Sequence, residues 1–304
     1  MVKKRSAFTM IELVMVIVVL GIVASIGADI IASLYSNYLR VRTINRLEAQ
    51  TEITLEQIAK RLQYRIKDSV IARKTGDYLA LSDSSVDDTY NILEWIGYSN
   101  ESMLGYDGQP GWTGFIDLDS TDTNSSAGTH GTLKTSESNL TKASTIMSAL
   151  TNGDIDLSTA AKAAVLIFKG RGADVSKYGW STTANGDGEY TLRVIRQSDT
   201  VFNIIDTAPS EIYEQYYLAH SAYAIVPSAT NSQDFNLTLY YNYQPWLGEN
   251  YSDANMPNQV LAEHVNLFRF RQDQSIIHLK LCLHDANETG LDNYIVVCKE
   301  KVIY

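Results

Sequence analysis

FTMIELVMVIVVLGIVASIGA, Phe8 to Ala28, is an almost unbroken apolar run near the start of a 304-residue chain. As a helix rising 1.5 Å per residue, its roughly 21 residues cover about 31 Å, the thickness of a bilayer's hydrocarbon core. Its polar members are Thr9, Glu12 and Ser25. Lys3, Lys4 and Arg5 precede the run and favour a cytoplasmic N-terminus, while Arg40, Arg42 and Arg46 follow it and weaken that asymmetry. A cleaved secretory signal would be shorter and end on small residues, for which Val23-Ala24-Ser25 is the best site. A plain anchor gives no reason for a carboxylate five residues into the run, where burial costs about 3 kcal/mol. The remaining reading gives Glu12 a dedicated partner.

The stretch KKRSAFTMIELVMVIVVLGIVA, residues 3–24, resembles the prepilin leader and N-methylation signature of type IV pilins and type II secretion pseudopilins. The resemblance implies that a membrane aspartyl peptidase cuts between Ala7 and Phe8 and methylates the new N-terminal residue. Glu12 then becomes the fifth residue of the mature chain. The family usually has glycine where this chain has Ala7, and many major pilins have proline where it has Asp29. It also implies the partners: other pilin or pseudopilin subunits, the prepilin peptidase, an inner-membrane assembly platform and the inner membrane itself. The chain is expected to cross that membrane once, with its C-terminal domain in the periplasm.

Elementary electrostatics points the same way. Glu12 lies one helical turn from the amine that cleavage creates on Phe8, so in a staggered bundle one subunit's amine can face a neighbour's carboxylate. At 4 Å and an effective dielectric near 20 such a pair attracts by about 4 kcal/mol, comparable to the insertion penalty. Gly21, Ala24, Ser25, Gly27 and Ala28 recur in the second half of the run, and the pairs Gly21/Ser25 and Ala24/Ala28 permit close helix approach.

Beyond the membrane, Leu34, Tyr38 and Val41, then Leu55, Ile58, Leu62, Ile66 and Val70, recur at helical spacing until Gly76. This predicts one helix from about Phe8 to Arg73, with a candidate bend at the polar stretch Glu48 to Glu52. The domain division is a leader (1–7), a transmembrane assembly helix (8–31), its periplasmic continuation (32–75) and a β-rich domain (76–304). Residues 99–140 are rich in Ser, Thr, Asn, Asp and Gly and read as long surface loops, part of a polar region reaching about 188. Helical stretches are expected at Lys142 to Leu150 and Ser158 to Phe168, the latter with the alternative of running into a strand, and strands crowd the C-terminal half. The fold class is α+β, a long N-terminal helix packed on an antiparallel sheet, as in pilins. The ending RLQYRIKDSVIAR of the helix and the last strands resemble, more loosely, the J component of pseudopili or the W-type minor pilins.

Gly290 lies midway between the two cysteines, so a hairpin centred there sets Cys282 opposite Cys298 and Lys280 opposite Glu300, but also Leu279 opposite Lys301. A disulfide between Cys282 and Cys298 is the expected reading, with two buried thiols or a metal site with His278 and His284 as the alternatives. Asp117, Asp119, Asp122 and Asn124, and Asn185, Asp187 and Glu189, have oxygen donors spaced as in loose calcium loops, without the glycine and terminal glutamate of an EF-hand. No cofactor is expected.

The net charge of -10 and the absence of a basic cluster past the N-terminus argue against nucleic-acid binding. There is no GxSxG, P-loop or GxGxxG, and no enzyme is expected. The expected function is a structural minor pseudopilin or minor pilin that initiates or caps a fibre. The rivals are a tip adhesin or DNA-uptake pilin, and a membrane-anchored enzyme or metal-binding protein.

Overall fold

The computed structural model describes residues 9–124, 130–181, 188–231, 234–285 and 295–304. Helix α1 runs from Met10 to Gln63 without interruption, so Glu48 to Glu52 mark no break. They mark instead the place where the helix meets the domain. From Leu47 onward one stripe is buried: Leu47, Thr51, Thr54, Leu55, Ile58, Ala59 and Leu62. The steps of three and four keep these residues on one face. Each fully buried aliphatic contributes about 1.5–3 kcal/mol.

The helix ends at Gln63, earlier than the expected Arg73. Leu62, Ile66 and Val70 keep helical spacing and are all buried, but the backbone leaves the helix between them. The Ile66 amide donates to the Ile96 carbonyl at 2.8 Å and the Tyr98 amide to the Tyr64 carbonyl at 2.9 Å, so sheet pairing captures the chain. The β-branched Ile66, Val70 and Ile71 favour that outcome.

The sheet comprises β1 (Ile71–Lys74), β2 (Asp77–Ala80), β3 (Ile92–Tyr98), β4 (Thr132–Lys134), β5 (Ala164–Phe168), β6 (Leu192–Ser198), β7 (Val201–Ile204), β8 (Tyr216–Asn231), β9 (Asp234–Tyr243), β10 (Asn258–Asp273), β11 (Ile276–His284) and β12 (Val296–Ile303). Its main order among the described residues is β12-β11-β10-β9-β8-β5-β6-β7-β4, with β3, β1 and β2 branching from β8. Every pairing is antiparallel. The α+β architecture, a long helix on an antiparallel sheet, is therefore the observed one. The long strand β8 is its spine: one edge pairs with β9, while the other pairs with β5 through Tyr216 to Ala219 and with β3 through Ala219 to Ile225.

Helix α1 packs on β12, β11, β10 and β3, closing a core that includes Leu55, Ile58, Leu62, Trp95, Phe268 and Leu281. Two ion pairs fix its register: Lys299 Nζ lies 3.0 Å from Glu52 Oε2, and Lys301 Nζ 2.6 Å from Glu56 Oε2. Four residues of helix rise about 6 Å and two of strand about 6.7 Å, so the two pairs match in pitch. The Lys301 hydrogen bond holds the Glu56 carboxyl below its ordinary range.

The polar region is not a set of surface loops. It holds α2 (Asn100–Leu104), β4 and α3 (Leu140–Leu150), and it encloses a second core of Trp112, Ile116, Leu133, Leu140, Met147, Leu166, Phe202 and Tyr216. The hydroxyls are part of the packing: Thr135 Oγ1 lies 2.8 Å from both Ser138 Oγ and Tyr216 Oη, and Trp112 Nε1 donates to Ser102 Oγ at 2.9 Å. The stretch from Ser158 to Phe168 is helical only as a 3₁₀ turn at Ala160–Lys162, which runs into strand β5, the alternative left open for it. On the other sheet face a third cluster includes Ile96, Trp180, Ala222 and Tyr243. Beside it the buried Glu94 accepts from Arg73 Nε and from Tyr243 Oη, the latter at 3.0 Å. Burial pushes the Glu94 carboxyl up, against the pull of the Arg73 guanidinium.

Candidate functional site

The start of α1 is built by a reciprocal cap. Thr9 is the N-cap, and its backbone N–H donates to Glu12 Oε2 at 3.1 Å and its hydroxyl donates to the same oxygen at 2.9 Å. The Glu12 amide returns a bond to Thr9 Oγ1 at 3.4 Å. This is a capping box, in which two otherwise orphaned backbone N–H donors are each satisfied by the other residue's side-chain oxygen. It also sets the carboxylate at the positive end of the helix dipole. The role of Thr9 was missed in reading the sequence, although the spacing Thr9-x-x-Glu12 before an apolar run carries that signal. Ala7 and Phe8, the expected cleavage and methylation positions, lie outside the described residues.

Along the same segment the apolar side chains find no partner among the described residues. Met10 is 89% exposed, Ile11 74%, and every large apolar side chain from Leu13 to Ile31 is exposed. No part of the most apolar window is buried, and the helix is long enough to cross a membrane. Gly21, Ala24, Ser25 and Ala28 follow the steps i, i+3, i+4 and i+7, so they share one face of α1. A Cβ built on Gly21 or Gly27 meets no atom within 4 Å, so neither glycine is required by packing inside this chain.

Within the domain, near the point where α1 joins it, Cys282 and Cys298 form a disulfide, directly opposed across β11 and β12 with Cα atoms 4.0 Å apart. The register also opposes Lys280 to Glu300, with Nζ 2.8 Å from Oε1, and Leu279 to Lys301. The bond engages both thiols, and His278 lies two residues from the strand's start while His284 closes it, so the four side chains considered for metal do not converge. His284 instead meets Asp234 and His264, which the sequence reading had not singled out.

The two acidic runs are engaged in local structure. Asp117 Oδ1 accepts from the Asp119 amide at 3.2 Å, Asp122 lies 3.7 Å from Lys134 Nζ, and the Asn124 amide donates to the Thr132 carbonyl at 2.9 Å. Glu189 faces Lys177 Nζ at 2.8 Å and Arg171 at 3.6 Å, whereas Asn185 and Asp187 lie outside the described residues.

Comparison with known families agrees with the geometry of the N-terminal segment. Residues 2–28 match the family described as the prokaryotic N-terminal methylation motif, the prepilin signature of type IV pilin-like proteins. The motif supports a type IV pilin or pseudopilin, a structural class whose subunits are processed by a prepilin peptidase and assemble with one another. Together with the apolar helix it supports membrane anchoring. No curated protein and no solved structure matches the chain.

Proposed function

We propose that the mature chain is a minor pseudopilin or minor pilin, a non-catalytic subunit anchored in the inner membrane that initiates or caps a pilus-like fibre. The observation carrying this reading is Glu12, a carboxylate in an apolar helix that the rest of the chain leaves bare, inside a matched methylation motif. In the mature protein Phe8 starts the chain, and its amine docks against Glu12 of an adjoining subunit while the Thr9 bonds hold that carboxylate in place. The small face of Gly21, Ala24, Ser25 and Ala28 lies roughly opposite Glu12 at about 100° per residue, so the two features meet different neighbours. The domain beyond Leu47 stays in the periplasm, and its disulfide fits that oxidising compartment.

Glu12→Ala tests the reading in the native host. The variant should reach the membrane at normal level and lose co-purification with its sister subunits. Undiminished co-purification would count against the proposal.

A further inference from the structure

We propose that Asp234, His264 and His284 form a binding site for one divalent transition-metal ion, with zinc the best match to the donor set. The inference is independent of the assembly role. The three residues come from β9, β10 and β11, which are neighbours in the sheet, and their ligand atoms all lie within 4.8 Å of one another. His264 Nδ1 is 3.2 Å from Asp234 Oδ1, and His284 Nε2 is 3.3 Å from the same oxygen. Ligands at about 2.0–2.1 Å around a tetrahedral ion stand about 3.3 Å apart, so both separations equal a tetrahedral edge.

Two further features point to a ligand. His264 sits inside a strand yet has a left-handed backbone, φ 56°, where the pairing of β10 with β9 shifts register between Ala262 and Val265. Such a bulge re-aims a side chain, and a strained residue within a strand persists where the surroundings hold it for a purpose. His284, buried at the end of β11, has Nδ1 3.2 Å from the Asp285 carbonyl. A carbonyl only accepts, so Nδ1 carries the proton and Nε2 turns its lone pair toward Asp234. This backbone-anchored tautomer is the one metal-binding histidines use. Asp285 is itself held, its Oδ1 2.9 Å from Arg46 Nη2 on α1. The Asp234 oxygen and the two imidazoles thus converge on one small space of the size a cation fills.

Two imidazoles and one carboxylate suit zinc and its transition-metal neighbours, whereas calcium prefers six to eight oxygens. Asp234 and His264 are half-exposed, and the histidines border a groove between α1 and β10, which gives an ion a way in and leaves a fourth position for water. A bound ion would tie three strand ends beside the point where α1 enters the domain.

The test uses the full-length protein in detergent, purified without a histidine tag, stripped with chelator and titrated with zinc chloride. Isothermal titration and elemental analysis should give one zinc per chain, with a raised melting temperature and no competition from calcium. His264→Asn keeps a residue type that accepts the left-handed backbone, so its metal-free melting temperature should match wild type. Its zinc affinity should fall by more than the 10–100-fold typical of losing an outer partner of a metal site. Asp234→Asn should act likewise, and His278→Ala, an exposed histidine on the same strand, should change nothing. Failure to bind one equivalent, or binding that survives His264→Asn and Asp234→Asn, would overturn the proposal.

Discussion

The two halves of α1 are one continuous helix with opposite relations to the rest of the chain. From Leu47 to Leu62 a stripe is sealed against the sheet, with Leu55 1% exposed and Ile58 and Leu62 fully covered. From Met10 to Val41 the large apolar side chains are at least 41% exposed, with only small or polar residues between them. Burial drives both halves, but only the second finds its apolar partner within the fold. Under the proposed function the first finds its partner outside, in lipid and in neighbouring helices, which would make the N-terminal half the assembly surface, while the C-terminal half is structural.

Truncations in the two halves should separate them most sharply. Leu62→Ala should destabilise the domain by about 2–5 kcal/mol, because it opens a cavity in a closed core. Leu20→Ala should shift the same denaturation midpoint by less than about 0.5 kcal/mol, since its site touches nothing in the domain. Urea unfolding followed by tryptophan fluorescence reports both. Equal effects would break the distinction.

Next in size is the clamp on the strands under the structural half. Replacing both Cys282 and Cys298 by serine should cost about 3 kcal/mol, because the bond closes a short loop, separation 16. The loss should appear in the domain's melting temperature and leave membrane insertion unchanged.

A smaller effect is a pH dependence confined to the domain. His220, buried in β8, has its pKa pushed down from 6.5 to about 4 by burial. The unfolded chain therefore gains a proton below pH 6.5 that the folded chain refuses until about pH 4, and stability falls as pH falls through that window. At pH 5.5 the loss should be about 1–1.5 kcal/mol relative to pH 7.5. His220→Gln should remove that part of the slope, read as the difference between two urea titrations.

The same contrast explains what the sequence displayed. The N-terminal half was legible because lipid imposes a long apolar run and because Glu12 is anomalous within it. The β11–β12 register was legible from Gly290 midway between two cysteines. The helix end was not, because Ile66 and Val70 continue the helix period of Leu62 while sheet hydrogen bonds capture their backbone instead. The second core was hidden for a different reason. Trp112, Ile116 and Leu133 stand singly among Ser, Thr and Gly, with no periodicity to gather them, and only the sheet brings them together. Strand β8 runs from Tyr216 to Asn231, a length set by pairing on both edges rather than by any local pattern. Asp234, His264 and His284 meet through tertiary pairing and a bulge, which leave no local spacing to read.

Within the N-terminal half, Glu12 has an observed capping role and a proposed pairing role, and one substitution separates them. A glutamine at position 12 still completes a capping box with Thr9 but carries no charge. Fibre co-assembly of Glu12→Gln beside Glu12→Ala, at matched membrane levels and with N-terminal processing checked by mass spectrometry, is the most direct test. If the carboxylate neutralises a neighbour's amine, both variants are processed and neither assembles. If Glu12→Gln assembles like wild type, capping alone accounts for the residue and the pairing is contradicted.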